Sequence, residues 1–232
     1  LAQYFRGSEF ARAVANQRRP GSNAEARMVD FLYEEEPDAP LDLTDFPRAW
    51  FAKGIGKVYA RSDWSGDATW LRFECGDYWA GHQHFETGNF EIFRHEPLAT
   101  ESGEYIDYLS NHSVNWLIRT IAHNCLLVFM PGETWKNMRD GGRVPYANDG
   151  GQSKKWDWTV DTLKEWHAKR DQFERGNIVA FHDQPGFLYT AGDATAAYDP
   201  DKVKQWLREI VFLRPHTFVI LDRVTSAQAG YA

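Results

Sequence analysis

Cysteine is scarce in this chain: Cys75 and Cys125 are the only two in 232 residues, both in apolar surroundings and without CxxC spacing. That excludes a cysteine-built zinc finger and a dithiol redox motif. Buried free thiols are the expectation, with a disulfide left open if the chain is exported and neighbouring strands bring the pair together. Long hydrophobic runs are missing too. No stretch approaches the roughly 20 apolar residues that span a bilayer, so no membrane insertion is expected. Residues 1–10 have neither the basic start nor the apolar segment of a signal peptide. The sequence opens on Leu1 rather than Met, which suggests a processed or excised piece. The third absence is an excess of positive charge, with 26 Lys and Arg against 33 Asp and Glu and a net charge of -7. A nucleic-acid binder draws most of its affinity from a basic surface, so that class is not expected.

What the chain has is apolar and aromatic content, 43% and 15%, ample for one large core or two small ones. Two short stretches near the start, 8–17 and 23–33, space apolar residues helically: Phe10, Ala13 and Val14, then Ala24, Met28, Phe31 and Leu32, with Ser22 or Asn23 able to cap the second. An acidic segment with Pro37, Pro40 and Pro47 follows and reads as a linker. From Trp50 onward the pattern changes to short runs of β-branched and aromatic residues separated by Gly, Asp, Asn and Pro. Strands are predicted at 57–61, 69–75, 89–94, 120–130, 177–181, 186–191, 203–213 and 217–224, the first two joined by a turn at Ser65, Gly66 and Asp67. The segment 203–213 has a helical look, but Val203, Gln205, Leu207, Glu209, Val211 and Leu213 alternate along it, and Arg214, Pro215 and His216 turn it into the next strand. Many strands without intervening helices predict a mainly β fold, an antiparallel sandwich of jelly-roll or supersandwich type. The division expected is 1–40 as a short helical segment and linker and 41–232 as the β domain.

The chemistry concentrates at residues 81–90. On a strand, His82, His84 and Glu86 leave by one face and form a candidate metal or catalytic cluster. Glu101 and His123 are the next candidates. His84, Glu101 and His123 would supply three ligands, with water completing a tetrahedral zinc site. An HxH pair alone is weak evidence, because a single histidine is more often a satisfied structural residue than a ligand.

Four segments in order, GHQHFETGNFEIF, LATESGEYIDYLSNH, RTIAHNCLLVF and VKQWLREIVFLRPHTFVILDRV, resemble the heparinase II/III-like polysaccharide lyases and cover most of 81–224. The resemblance implies a β-sandwich that follows a helical toroid in the parent enzyme, and cleavage of uronic-acid polysaccharide by β-elimination. It implies that His82 faces the active-site cleft, and that His84, His123 and Glu101 bind zinc or another divalent ion. Glu101 stands where the family usually has Asp. Glu86 also replaces a common Asp and is expected beside the ligands, accepting a ring N–H. His112, Arg119 and Trp116 are expected to line the substrate cleft, with Trp135 competing for sugar contact. Tyr105 and Tyr108 read as partly buried sandwich residues.

For an acidic polysaccharide the net charge is awkward, so attraction would be local, from Arg94, Arg119, Lys136, Arg139 and Arg143, or would come from the absent toroid. The toroid would also carry the family's acid and base, a Tyr and often a His. A bacterial periplasmic or secreted location follows only from the resemblance, and a homodimer is left open. Two rivals come from other classes. One is a cupin-type metalloenzyme, against which Gly81 directly abuts His82, Glu86 follows His84 too closely and no Pro-x-Gly precedes His123. The other is a noncatalytic carbohydrate-binding or scaffold sandwich. The substrate among heparin, heparan sulfate, chondroitin and alginate is not readable.

Overall fold

Alternation of buried and outward side chains builds both sheets. A computed structural model describes residues 43–78, 82–134, 146–152 and 162–231. The two predicted helices and residues 34–42 of the acidic segment lie outside them, as do Trp79, Trp135, Trp156, Trp158, Lys136, Arg139 and Arg143. The chain divides into two compact units, Leu1–Pro47 and Arg48–Ala232. In the first, a 3-10 turn spans Leu43–Asp45. Among the described residues no helix is long and apolar enough to cross a membrane.

The second unit holds two antiparallel sheets. The first contains β1 (Ala49–Ala52), β2 (Lys57–Arg61), β3 (Trp70–Glu74), β4 (Phe90–Arg94) and β5 (Glu96–Ala99), in that order across the sheet. The second contains β6 (Asn177–Asp183), β7 (Phe187–Asp193), β8 (Val203–Leu213) and β9 (Thr217–Ser226), again in sequence order. Each is a meander, with strands hydrogen-bonded in chain order. β2 turns Val58 and Ala60 inward, β3 turns Leu71 and Phe73 inward, and β8 contributes Trp206, Ile210 and Phe212. Burying each of the larger of these side chains contributes about 1.5–3 kcal/mol. The period-two burial along β8 is what makes it a strand rather than a helix. At Gly192 on β7 the sheets approach closely, and a Cβ there would lie 2.7 Å from the Phe73 ring.

The predicted strand 120–130 does not form, nor does a strand carrying His82, His84 and Glu86 on one face. Residues 120–130 begin as a 3-10 turn, Thr120–Ala122, and continue as extended chain outside any ladder. Tertiary bonds replace strand pairing there: Thr120 Oγ1 donates to the Phe85 carbonyl at 2.8 Å, and the Val128 N–H donates to the Gly150 carbonyl at 2.9 Å. Residues 82–89 are turns and irregular chain. Positive φ at His82 (71°) and Gly88 (91°) is incompatible with a pleated strand. Both cysteines are free thiols.

Candidate functional site

The loop 82–89 is irregular, yet it is held at many points. The Phe85 N–H donates to the Ile118 carbonyl at 2.9 Å and the Gly88 N–H to the Glu74 carbonyl at 2.7 Å. Buried Gln152 binds both backbone groups of Thr87, at 3.1 and 2.7 Å. Gly88 is required twice over: its φ lies in the left-handed region, and any Cβ would strike the Trp206 ring. Arg208 reaches inward from β8 to donate to the Gly88 carbonyl at 2.7 Å and to the Asn124 carbonyl, while Asp222 on β9 fixes the guanidinium from behind at 2.8 Å. The second sheet thus steadies a loop borne by the first.

On this frame His84, Glu101 and His123 converge, with one ligand atom from each lying within 4.8 Å of the others. The rings of His84 and His123 are 5.2 Å apart between centroids. His123 Nδ1 lies 3.8 Å from Glu101 Oε1 and 4.0 Å from Glu86 Oε2. The three segments come from the loop after β3, the chain after β5 and the end of the Thr120–Ala122 turn. No contiguous motif places them together; the sandwich does.

Electrostatics at the cluster are unusual. Burial pushes the His123 imidazole down to about 4, against the opposing pull of Glu86, so the ring is neutral at pH 7 and has a lone pair to give. Both ring nitrogens are buried without a well-formed hydrogen bond, a situation that costs about 1–3 kcal/mol for a buried polar group. Burial and the neighbouring Glu86 charge raise the Glu101 carboxyl to about 8. Glu86 is held below its ordinary value: burial opposes this, but His123, a hydrogen bond with Glu101 and the Arg72 charge outweigh it. Arg72 on β3 stands over both carboxylates, 3.5 Å from Glu101 and 3.7 Å from Glu86, and is bound to Glu91 at 2.5 Å and Glu74 at 2.6 Å. A neutral imidazole with idle nitrogens, a second histidine and two crowded carboxylates form a donor set that suits a divalent cation. A tetrahedral zinc site, with bonds of about 2.0–2.2 Å to N and O, would draw these atoms modestly closer.

His82 does not join this group. Its side chain is exposed and packs edge-on against Tyr108 at 5.5 Å, and Tyr108 packs edge-on against Tyr105 at 5.3 Å. The two tyrosines, read from sequence as partly buried, are 42% and 58% exposed. They lie on an irregular lobe outside both sheets, which period-two reasoning does not reach. His112 directly precedes the π-helical turn Ser113–Leu117 without a side-chain capping bond, its Nε2 lying 3.1 Å from the Glu104 carbonyl. Trp116 on that turn is 38% exposed and donates its Nε1–H to the Ser102 carbonyl. Arg119 requires a correction. It is fully buried, with Nε and Nη2 bound to Asp149 at 2.9 and 2.5 Å, so it is a framework ion pair and offers no surface to a cleft.

Two residues at the centre escaped sequence reasoning. Arg72 fell within the predicted strand 69–75 and Asn89 at the start of the predicted strand 89–94, and neither was singled out for chemistry. The one hint for Asn89 was its place three positions after Glu86, close enough for a side-chain bond across the turn.

A model of the family described as "Heparinase II/III-like, C-terminal" matches residues 47–231. A search of curated protein sequences found no match. Among solved structures, a heparinase III gene product is similar at 17% identity and a TM-score of 0.54, over 87% of this chain and 26% of that one. The heparan sulfate lyase HepC from Pedobacter heparinus is similar at 13% identity and a TM-score of 0.54, over 93% of this chain and 27% of that one. These likenesses show a shared fold, and this chain spans about a quarter of the length of those proteins. On the strength of the family match across both sheets and all three converging segments, the chain belongs to the heparinase II/III-like C-terminal family.

Proposed function

We propose that this chain is the β-sandwich part of a polysaccharide lyase that cleaves uronic-acid-containing polysaccharide by β-elimination, with His84, Glu101 and His123 holding a divalent cation, zinc foremost. The observation that carries the reading is the convergence of those side chains from three separated segments upon a buried, neutral His123. Family membership and the likeness to a heparan sulfate lyase support the substrate class.

In β-elimination a base takes the proton from the carbon beside the uronate carboxylate, a carbon–carbon double bond forms, and the bond to the glycosidic oxygen breaks as an acid protonates that oxygen. The proton is removable only when the carboxylate's charge is neutralised or strongly hydrogen-bonded. Exposed His82 is the neutraliser, donating to the carboxylate, and the Tyr108 ring edge fixes its imidazole. His112 and Trp116 border the same lobe and contact the sugar chain. A cation at the cluster supplies fixed charge that ties three loops together, which holds His82 at the cleft. The acid and base come from the N-terminal toroid of the parent, which acts on polymers outside the cytoplasm.

Absorbance of the unsaturated product, followed on uronate polysaccharides, tests this. The parent enzyme should be active, the isolated chain inactive, and the parent bearing His82→Ala slower by about 10²-fold or more, the scale of losing one charge-stabilising donor. Full activity in the isolated chain would place the acid and base within it. An unimpaired His82→Ala parent would remove His82 from the chemistry, and absence of unsaturated product from the parent on every uronate polymer would end the lyase reading.

A further inference from the structure

One side chain touches all three segments of the candidate centre. Asn89 is 1% exposed. Its Nδ2 donates to Glu86 Oε2 at 3.1 Å, within the loop that carries His84, and to Glu101 Oε1 at 3.3 Å. Its Oδ1 accepts from the backbone N–H of Asn124 at 3.0 Å, the residue after His123. Asn124 extends the bracket, its Nδ2 donating to the Phe90 carbonyl at 2.9 Å and more distantly to the Thr100 carbonyl, next to Glu101.

An amide suits this position because it carries two N–H donors on one end and an acceptor on the other. The donors face one oxygen from each of the paired Glu86 and Glu101 carboxyls, and the acceptor faces a backbone N–H. Asp would present a third acceptor to the two carboxylates, and Leu would leave all three partners without this bond. Asn89 itself is anchored at both backbone groups: its N–H donates to the Glu86 carbonyl at 2.8 Å, and its carbonyl accepts from Glu74 at 2.9 Å. The fork is therefore fixed before any cation arrives.

We propose that Asn89 is the positioning residue of the centre, holding Glu86 and Glu101 in place beside each other and tying both to the His123 segment so that the cation meets a preset donor set. This rests on the proposed cation site and goes beyond it by assigning a residue that is not a ligand. Residues that orient ligands are worth about 10–100-fold in metal affinity. Preorganisation is the reason: without the fork, the cation must itself order the loops it binds.

Zinc affinity, measured on the folded chain by competition with a chelating dye, is the test, with melting of the metal-free protein as the companion measurement. Asn89→Ala should bind zinc about 10–100-fold more weakly than wild type while remaining folded. A lower metal-free melting temperature with unchanged affinity would make Asn89 only a core polar residue and overturn the proposal. Should Asn89→Ala not fold, Asn89→Ser keeps a donor but cannot span both carboxylates, and it should show the same loss in direction; unchanged zinc affinity in that variant overturns the proposal equally. Wild-type protein that takes up no zinc would instead overturn the cation site itself, and Asn89 with it.

Discussion

The space between the sheets is fully buried and the polar cluster partly so, and they are stabilised in opposite ways. Between the sheets, Phe73, Leu188, Trp206, Ile210 and Phe212 are fully covered by one another and need nothing from outside. At the cluster, Glu86, Glu101, His123 and Arg72 crowd together with shifted protonation and idle ring nitrogens. An apolar interior is complete when it is packed. A polar one is complete only when each charge has its counter-charge, and here the cluster has donors in excess of partners.

The sharpest way to break the apolar side is Trp206→Ala. The indole is wholly buried, packs on Gly88 and donates to Asp222 at 2.9 Å, so removal should cost about 3–5 kcal/mol in urea unfolding with or without zinc. A cost below 1 kcal/mol would mean that the interior is less tightly packed than described. The corresponding cut on the polar side is His84→Ala. Wild type in zinc at about 100 times its dissociation constant should gain about 2.7 kcal/mol over chelated protein. The variant should melt at the same temperature in zinc and in chelator. Arg72→Leu probes the cluster without touching a proposed ligand. It strips a partly exposed cation from four carboxylates, and should lower the metal-free stability by about 2 kcal/mol, after allowance for solvent screening, with zinc restoring part of the loss. Equal unfolding free energies for Arg72→Leu and wild type in chelator would show that the carboxylates do not depend on it.

The smallest effect concerns pH. Burial alone would raise the Asp222 carboxyl, but hydrogen bonds and charge from Arg208, with the Trp206 N–H, hold it below its ordinary 3.8. The folded value lies below the unfolded one, so its contribution is complete above pH 3.8 and fades as pH falls through the folded value. Asp222→Asn should therefore flatten the acid limb of the stability curve below pH 4 while lowering stability at neutral pH. Chemical denaturation between pH 2 and 7 reads both.

Much of the apolar side was legible in the sequence, because period-two alternation is a local property. Val203 through Leu213 announced a strand despite its helical look, β2 was found with its exact ends, and β3, β4, β6, β7 and β9 were found with ends off by at most two residues. Residues 120–130 were misread because Thr120 bonds to Phe85 and Gln152 rather than to a neighbouring strand, a tertiary fact without local signature. The short β1 and β5 were missed because strands of four residues carry too little pattern. At the cluster, His84, Glu101 and His123 were candidates by residue type alone, and the family resemblance was what strengthened a weak HxH signal, since nothing in their spacing predicts a meeting. Arg72 and Asn89 stayed hidden because their partners lie on other segments. Arg119 was placed in the substrate cleft through the family resemblance, whereas Asp149, thirty residues on, makes its burial tolerable.

The central claim is that three loops converge to hold one divalent cation, and the most direct measurement is the metal content of the purified chain after zinc loading and dialysis, by elemental analysis beside a thermal melt. The account predicts one zinc per chain, a melting temperature that falls on chelation, and neither property in His123→Ala. Wild-type protein that retains no metal and melts identically in zinc and in chelator would contradict it.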